Sequence, residues 1–476
     1  MKATATEWES VIGLEVHVEL RTQTKLFCGC RNQFGEEPNT NICPVCLGLP
    51  GSLPVLNRAA VDYAMRIGTA LHCQIQPSLF HRKNYFYPDM PKDYQISQYD
   101  VPINHDGWLD LPGGRRIGIV RAHLEEDTGK SSHIGGGGRI HEATHSLVDY
   151  NRSGVPLVEI VSAPDLRSAE EARVYVDELR AIVVITGASD GKMEEGSLRI
   201  DANVSVRPSG STELGTRCEV KNLNSLRSLG RAIDYEVVRQ IEVITGGGRV
   251  AQETRHWDEA SGRTGSMRSK EEAEDYRYFP EPDLVPIEPS EEWIRSVAAS
   301  MPPLPAARRD AVSSAAGLDS GADAVATVVR LDLDRYVHAV AGAGGDTALA
   351  VRRLANEVVA EIDSIDRLSV EGFVGLIAME TGGSLTTAQA RTVLKELLAE
   401  GGDPSSVASR LGFEAMGQDD LAAVVDRVIA EYPLEWDRYA AGEDKLTGFL
   451  IGHIKSATDG NADLKAASAL LRALRA

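Results

Sequence analysis

Two groups of side chains in this sequence have the types and spacing that do chemistry. Cys28-Gly-Cys30 and Cys43-Pro-Val-Cys46 form two close pairs twelve residues apart. Four thiolates so spaced can meet around one tetrahedral Zn²⁺, and the Pro-Val turn suits a zinc knuckle. The alternatives are two disulfides or scattered core cysteines. A disulfide within so close a pair is strained, and a reducing cytosol works against it. A closed Cys₄ site is structural, not catalytic. Cys73 and Cys218 are solitary and are expected in the core.

The second group is acidic. Glu15 and His17 alternate in Val11-Ile-Gly-Leu-Glu-Val-His-Val-Glu-Leu20. His123, Glu125 and Asp127 alternate in Ile117 to Asp127, and Glu159 lies inside the aliphatic run Val155-Pro-Leu-Val-Glu-Ile-Val161. A carboxylate in such a run is costly unless it is paired or bound to metal. Carboxylates on converging strands can hold a hard cation, Mg²⁺, which in turn holds nucleotide phosphates. Imidazole is an unusual Mg²⁺ ligand, since it more often serves Zn or Mn. The competing interpretation is solvated strand faces with one salt-bridged buried Glu159.

The elements that must position these groups are strands with one wet face. In residues 11–20 every even position is aliphatic, so Glu15, His17 and Glu19 project together on the other face. Segment 197–207 repeats the pattern: Leu198, Ile200, Ala202, Val204 and Val206 face one way, and Arg199, Asp201, Asn203 and Ser205 the other. Leu226, Leu229, Ile233, Val237 and Ile241 predict a helix capped by Asn224 or Ser225 and ended at Gly246. Gly135 to Gly138 predicts a flexible loop. Prolines cluster between Pro280 and Pro305 and mark a linker or strap. Beyond it the chain is Ala/Val/Leu-rich and lacks cysteine. One helix is expected from the Thr386/Thr387 cap to Gly401, and another carries Leu421, Val424, Val425, Val428 and Ile429.

Composition bounds the partners. The 476 residues suggest two to four domains, and 42% hydrophobic with 25% charged residues is an ordinary globular balance. No apolar run is long enough to span a bilayer, and Met1 to Ser10 does not resemble a signal peptide, so the expected compartment is the cytoplasm with no membrane contact. A net charge of −20 excludes nucleic-acid binding by phosphate neutralisation over most of the surface. One local shift runs from Lys445 to Ala476, with five bases against Asp459 and Asp463, and on charge alone it reads as a surface helix with ordinary charge scatter. Gly129-Lys130-Ser131 has the tail of a phosphate loop, but Leu124 stands where the first glycine belongs. Gly382-Gly383-Ser384 lacks the partner pattern of an amidase. No glutaminase setting is present, so the chain holds no source of ammonia.

Several strings together resemble the B subunit of the aspartyl/glutamyl-tRNA amidotransferases: Ile12 to Leu20, Arg82-Lys-Asn-Tyr-Phe-Tyr-Pro-Asp89, Asp93-Tyr-Gln-Ile-Ser-Gln98, Lys192 to Arg199, Lys221-Asn-Leu-Asn-Ser225 and Asp275-Tyr-Arg-Tyr-Phe-Pro-Glu-Pro-Asp283. The resemblance is dense from residue 11 to about 290 and loose beyond. It implies an α+β fold: a β-rich N-terminal cradle domain with an inserted zinc knuckle, residues 1–292, then two all-helical domains, 293–405 and 406–476. It implies a ligase acting within a complex. ATP with Mg²⁺ phosphorylates the side-chain carboxylate of Glu-tRNA(Gln) or Asp-tRNA(Asn). Ammonia from an amidase, the A subunit, then displaces the phosphate, and a small C subunit straps the pair. By the same resemblance Glu15, His17, Glu125 and Glu159 hold Mg²⁺ and are catalytic, and Lys83 and Glu126 lie near the ammonia channel. Arg199, Asp201, Lys221 and Asn222 are assigned to cofactor binding. Related tails carry a lysine-rich stretch where this chain reads Thr458-Asp-Gly-Asn-Ala-Asp463, so two acids stand where tRNA would be touched. The alternatives are a metal-dependent hydrolase of a small substrate and a non-catalytic, zinc-stabilised tRNA-binding scaffold. A requirement for ATP in amide formation separates the first reading from both.

Overall fold

The computed structural model describes residues 7–135, 143–269, 276–413, 418–458, 462 and 464–475. The chain divides into two compact units, Met1–Ala306 and Ala307–Ala476. In the first, the strands are β1 (Trp8–Glu19), β2 (Gln74–Ile75), β3 (His81–Asn84), β4 (Tyr94–Ser97), β5 (Asn104–Asp110), β6 (Arg116–Glu126), β7 (Lys130–Ile134), β8 (His145–Asp149), β9 (Pro156–Ser162), β10 (Leu198–Pro208), β11 (Cys218–Lys221), β12 (Glu253–Asp258), β13 (Arg263–Ser269) and β14 (Phe279–Pro280). Four helices accompany them: α1 (Arg58–Ala70), α2 (Ala169–Ile185), α3 (Leu226–Thr245) and α4 (Glu291–Ala299). Gly136 to Gly138 of the expected glycine loop lie outside the described residues.

One sheet runs in the order β13-β12-β11-β10-β1-β9-β6-β4-β3-β14, with β5 also on β6 and β2 on β5; β7 and β8 form a separate hairpin. The alternation expected in β1 and β10 is present. Leu14, Val16 and Val18 are buried with Ile200, Ala202 and Val204, and pack with Tyr175, Val176, Leu179 and Val183 of α2. That dry face drives the sheet together and leaves the other for polar groups. Helix α3 starts where the Ser225 hydroxyl accepts from the Ser228 N–H, ends at Gly246, and serves as the crossover between the parallel strands β11 and β12.

The proline-rich stretch straps back onto the first unit before the chain leaves it. Ser78 and Ile287 exchange backbone hydrogen bonds of 2.9 Å each way. In α4 the Trp293 indole N–H donates to Asp62 of α1 at 2.6 Å, under the Arg58 guanidinium. The second unit is helical and holds two apolar cores. Pro305–Ala316 through Pro404–Arg410 build one around Tyr336, Phe373 and Leu394. Gln418–Glu431 through Leu464–Arg475 build the other around Val425, Leu450 and Leu471. The Thr386 capping box and the Gly401 stop are as expected. Asp459 and Asp463 lie outside the described residues. No described helix is long and apolar enough to cross a membrane.

Gly68 shows how tightly α1 is seated against β5. A Cβ there would fall 1.9 Å from Asn104 Oδ1, and the Asn104 amide is locked by 2.9 Å bonds to the Ala64 and Ala122 carbonyls. Gly→Ala in an exposed helix adds about 1 kcal/mol of stability. Here overpacking wins, and Gly68→Ala is expected to cost about 2 kcal/mol, read from the urea midpoint.

Candidate functional site

Strand register assembles the acidic group. On β1, His17 stands opposite Glu159 of β9 on one side and Arg199 of β10 on the other. Glu159 stands opposite His123 of β6, and Glu125 opposite Ser97 of β4. Directly opposed residues share a face, so one wet surface carries all of these side chains. His17 Nδ1 lies 3.7 Å from Glu125 Oε1, and His17 Nε2 lies 3.8 Å from Asp201 Oδ2. His123 Nε2 sits between Glu125 and Glu159 at 3.7 and 3.6 Å. The Ser97 hydroxyl donates to Glu125 at 3.3 Å.

His17, Glu125 and Glu159 can each offer a ligand atom to one ion. Glu15 is not in that set. It falls in a neighbouring group with Asp201 and Glu219, and His17 bridges the two. In the second group Lys221 Nζ reaches Asp201 at 3.0 Å and Glu219 at 3.2 Å, and the Asn203 amide donates to Glu15 at 2.9 Å. Arg199 pairs with Asp127, which also meets Arg152 at 3.5 Å. Asn222 stands apart: its amide donates to the Trp257 carbonyl, and its left-handed backbone (φ +67°) turns the chain out of β11.

Charge balance follows from this packing. Burial opposes the His17 imidazolium, but Glu125, Glu159 and Asp201 outweigh it and push the ring up to about 9. Burial likewise raises Glu125, and the imidazoles of His123 and His17 overcome it and hold that carboxyl well below its usual range. Glu15 is raised, first by burial and then by the charge of Glu159. The face thus attracts a cation where His17 meets Glu125 and Glu159, and carries its own cations at Arg199 and Lys221.

Glu126 points through the sheet, as alternation requires. The structure does not bring it together with Lys83. Its Oε1 accepts from the Ile96 N–H at 2.9 Å and pairs with the buried Lys92 ammonium, while Lys83 lies over the Tyr276 ring on the face of Gln95. Behind Glu126 a small cavity is lined by Phe27, Cys28, Cys46, Lys92 and Gly154. Sequence reasoning missed Lys92, which sits in a turn with no periodicity, and Glu219, whose four-residue strand is too short to show any.

The four knuckle cysteines converge. Sulfur separations are 3.9 Å for Cys30–Cys46 and 3.7 Å for Cys43–Cys46, and Cys46 Sγ accepts from the Cys43 N–H at 3.0 Å. Zn–S bonds give a tetrahedron with edges of about 3.8 Å, whereas a disulfide needs about 2 Å. A hydrogen bond from Cys28, opposed by burial and helped by the Cys43 N–H and Lys25, lowers the Cys46 thiol to about 5. The donor set fits a metal.

Residues 10–295 match the GatB/GatE catalytic domain, and residues 335–474 match a GatB domain. The chain belongs to the GatB family of enzyme subunits. It is similar to the aspartyl/glutamyl-tRNA(Asn/Gln) amidotransferase B subunit of Carboxydothermus hydrogenoformans, 48% identical over 98% of each chain. It is 49% identical to the corresponding protein of Frankia casuarinae, over 98% of this chain and 95% of that one. The Thermoanaerobacter counterpart is 45% identical over 98% of this chain and 99% of its own.

His17 makes stability depend on pH. Unfolded, the ring loses its proton near 6.5; folded, it keeps it to about 9. Its contribution, at most about 3 kcal/mol, is complete below pH 6.5 and is lost as pH rises through 9. In EDTA, the melting temperature of the wild type relative to His17→Asn is expected to fall across this window. The difference isolates His17 from Glu19, whose carboxyl is raised by burial and by the charge of Asp127. A difference that grows with pH would contradict the assignment.

Proposed function

We propose that this chain is the activating subunit of a tRNA-dependent amidotransferase of the cytoplasm. It phosphorylates the side-chain carboxylate of Glu-tRNA(Gln) or Asp-tRNA(Asn) at the expense of ATP, and ammonia then displaces the phosphate to give the amide. The observation that carries this reading is the convergence of Glu125 and Glu159 on His17, beside the cations Arg199 and Lys221, in a chain that matches amidotransferase relatives over 98% of its length. His17, Glu125 and Glu159 would hold Mg²⁺, with Glu15 and Asp201 adjoining. Bound there, Mg²⁺ would supply charge neutralisation for the transferring phosphoryl group. The rest is positioning by this chain: the sheet fixes the carboxylates before substrate arrives, and Arg199 and Lys221 donate to anionic oxygens on the β10–β11 side.

Ammonia comes from a partner, since the sequence has no amidase nucleophile setting. An amidase and a small strapping protein, the A and C subunits, make up the rest of the complex. The Glu126–Lys92 pair lies on the opposite face of β6 from Glu125, which suits an ammonia route that reaches the reacting carbonyl without crossing the ATP side. The Cys₄ knuckle holds a structural Zn²⁺ and backs that route. A hydrolase built on the same acids would need neither ATP nor tRNA.

Glu159→Gln keeps the volume and removes one charge. In the assembled complex it is expected to reduce phosphate release dependent on misacylated tRNA by at least about a hundredfold, while tRNA binding and glutamine hydrolysis by the amidase persist. Normal phosphate release would return Glu159 to a salt-bridged core residue. For the knuckle, elemental analysis of chelator-free protein should give about one Zn per chain. Cys43→Ser should lose that metal and lower the melting temperature, because the metal is bound only by the folded chain. Fresh protein without zinc would remove the assignment.

A further inference from the structure

Two sequence strings that the acidic site leaves unused meet at the β14–β3–β4 end of the sheet. Tyr99, two residues beyond Ser97, stacks on Tyr278 with ring centroids 3.9 Å apart and planes within 8°. Tyr276 meets Tyr278 edge-on, and Lys83 lies over the Tyr276 ring at 4.6 Å. Register puts Lys83 opposite Gln95, on the face of Ser97 and Glu125, and the ring contacts bring Tyr276, Tyr278 and Tyr99 to Lys83. The platform adjoins the acids, since the charges of Glu125 and Glu159, after burial, raise the Tyr278 hydroxyl. Tyr99 is 47% exposed, so the platform is open to a ligand on the Tyr99 side.

We infer that this aromatic platform, led by Tyr99 and Tyr278, stacks the unpaired 3′-terminal base of the aminoacyl-tRNA and so delivers its esterified side chain to His17, Glu125 and Glu159. The inference rests on the function proposed above and adds the subsite. Charge favours this occupant and this mode. Beside converging carboxylates, in a chain of net charge −20, an uncharged contact suits the incoming end better than a run of phosphate contacts. Stacking supplies that for any base, and unpaired RNA ends are commonly recognised so. Lys83 supplies a cation at the platform, suited to a terminal phosphodiester. The other substrate has a separate approach, because Arg199 and Lys221 lie across the acids on β10 and β11. The geometry therefore admits the two reactants from opposite sides, with the carboxylate to be activated between them.

The test uses the assembled amidotransferase complex and misacylated tRNA-dependent phosphate release. Tyr99→Ser should raise KM for the tRNA about tenfold and leave KM for ATP unchanged, and Tyr99→Phe should restore the tRNA value. In direct binding, wild type should prefer intact deacylated tRNA to tRNA lacking its 3′-terminal nucleotide by a similar factor, and Tyr99→Ser should not discriminate. An unchanged tRNA KM, a rise confined to the ATP KM, or loss of association with the other proteins of the complex would each overturn the inference. The last two would assign the rings to the nucleotide or to a protein partner. If wild type released no tRNA-dependent phosphate, the proposed function would fail, and the paired binding comparison would still decide the subsite.

Discussion

Carboxylates that converge on one histidine repel each other, and the first unit is organised around that repulsion. Glu125, Glu159 and Asp201 come from three different strands, and none would approach the others by choice. Their carriers β6, β9 and β10 are held by backbone ladders and by the apolar face beneath, so the cost is spread over a whole sheet. His17 and His123, held between these carboxylates, offset the repulsion, and a metal ion would enter in place of the His17 proton.

The arrangement separates rigid from responsive parts. Val16, Val158, Ile160 and Ile200 are buried under the acids and fix the strand positions. Above them the polar groups form linked pairs: Arg199 with Asp127, Lys221 with Asp201 and Glu219, His123 with Glu125 and Glu159. An anionic ligand that draws Arg199 or Lys221 away leaves Asp127 to Arg152 alone or Asp201 to His17 alone, so ligand binding on one side of His17 changes the field on the other.

Much of this was legible from residue order. Period-2 alternation set Glu15 and His17 on one face of β1, and an acid inside an aliphatic run marked Glu159. Close thiol pairs marked the knuckle. These signals are local. What was not legible depends on pairing between strands far apart in the chain. Register across β1 and β10 moves Glu15 toward Asp201 and Glu219, and a turn residue, Lys92, meets Glu126 where alternation alone offered no partner. The prolines after residue 280 read as a linker or a strap, and only the pairing of Ile287 with Ser78 and the docking of Trp293 on α1 decide for the strap, with the first unit running on to Ala306. Proline ends regular structure without ending tertiary contact.

Glu125 and Glu126 are adjacent in sequence and work on opposite faces of one strand. That places a limit on how this gene can vary. Side chains in β6 can be exchanged singly, and most exchanges touch one face only. A codon gained or lost ahead of Glu125 within the strand would turn each acid to the other's side and exchange their surroundings at once. Length, more than identity, is the constrained quantity between Arg121 and Glu126; the extra residue that β6 does carry lies before this stretch, in the bulge between Ile119 and Arg121.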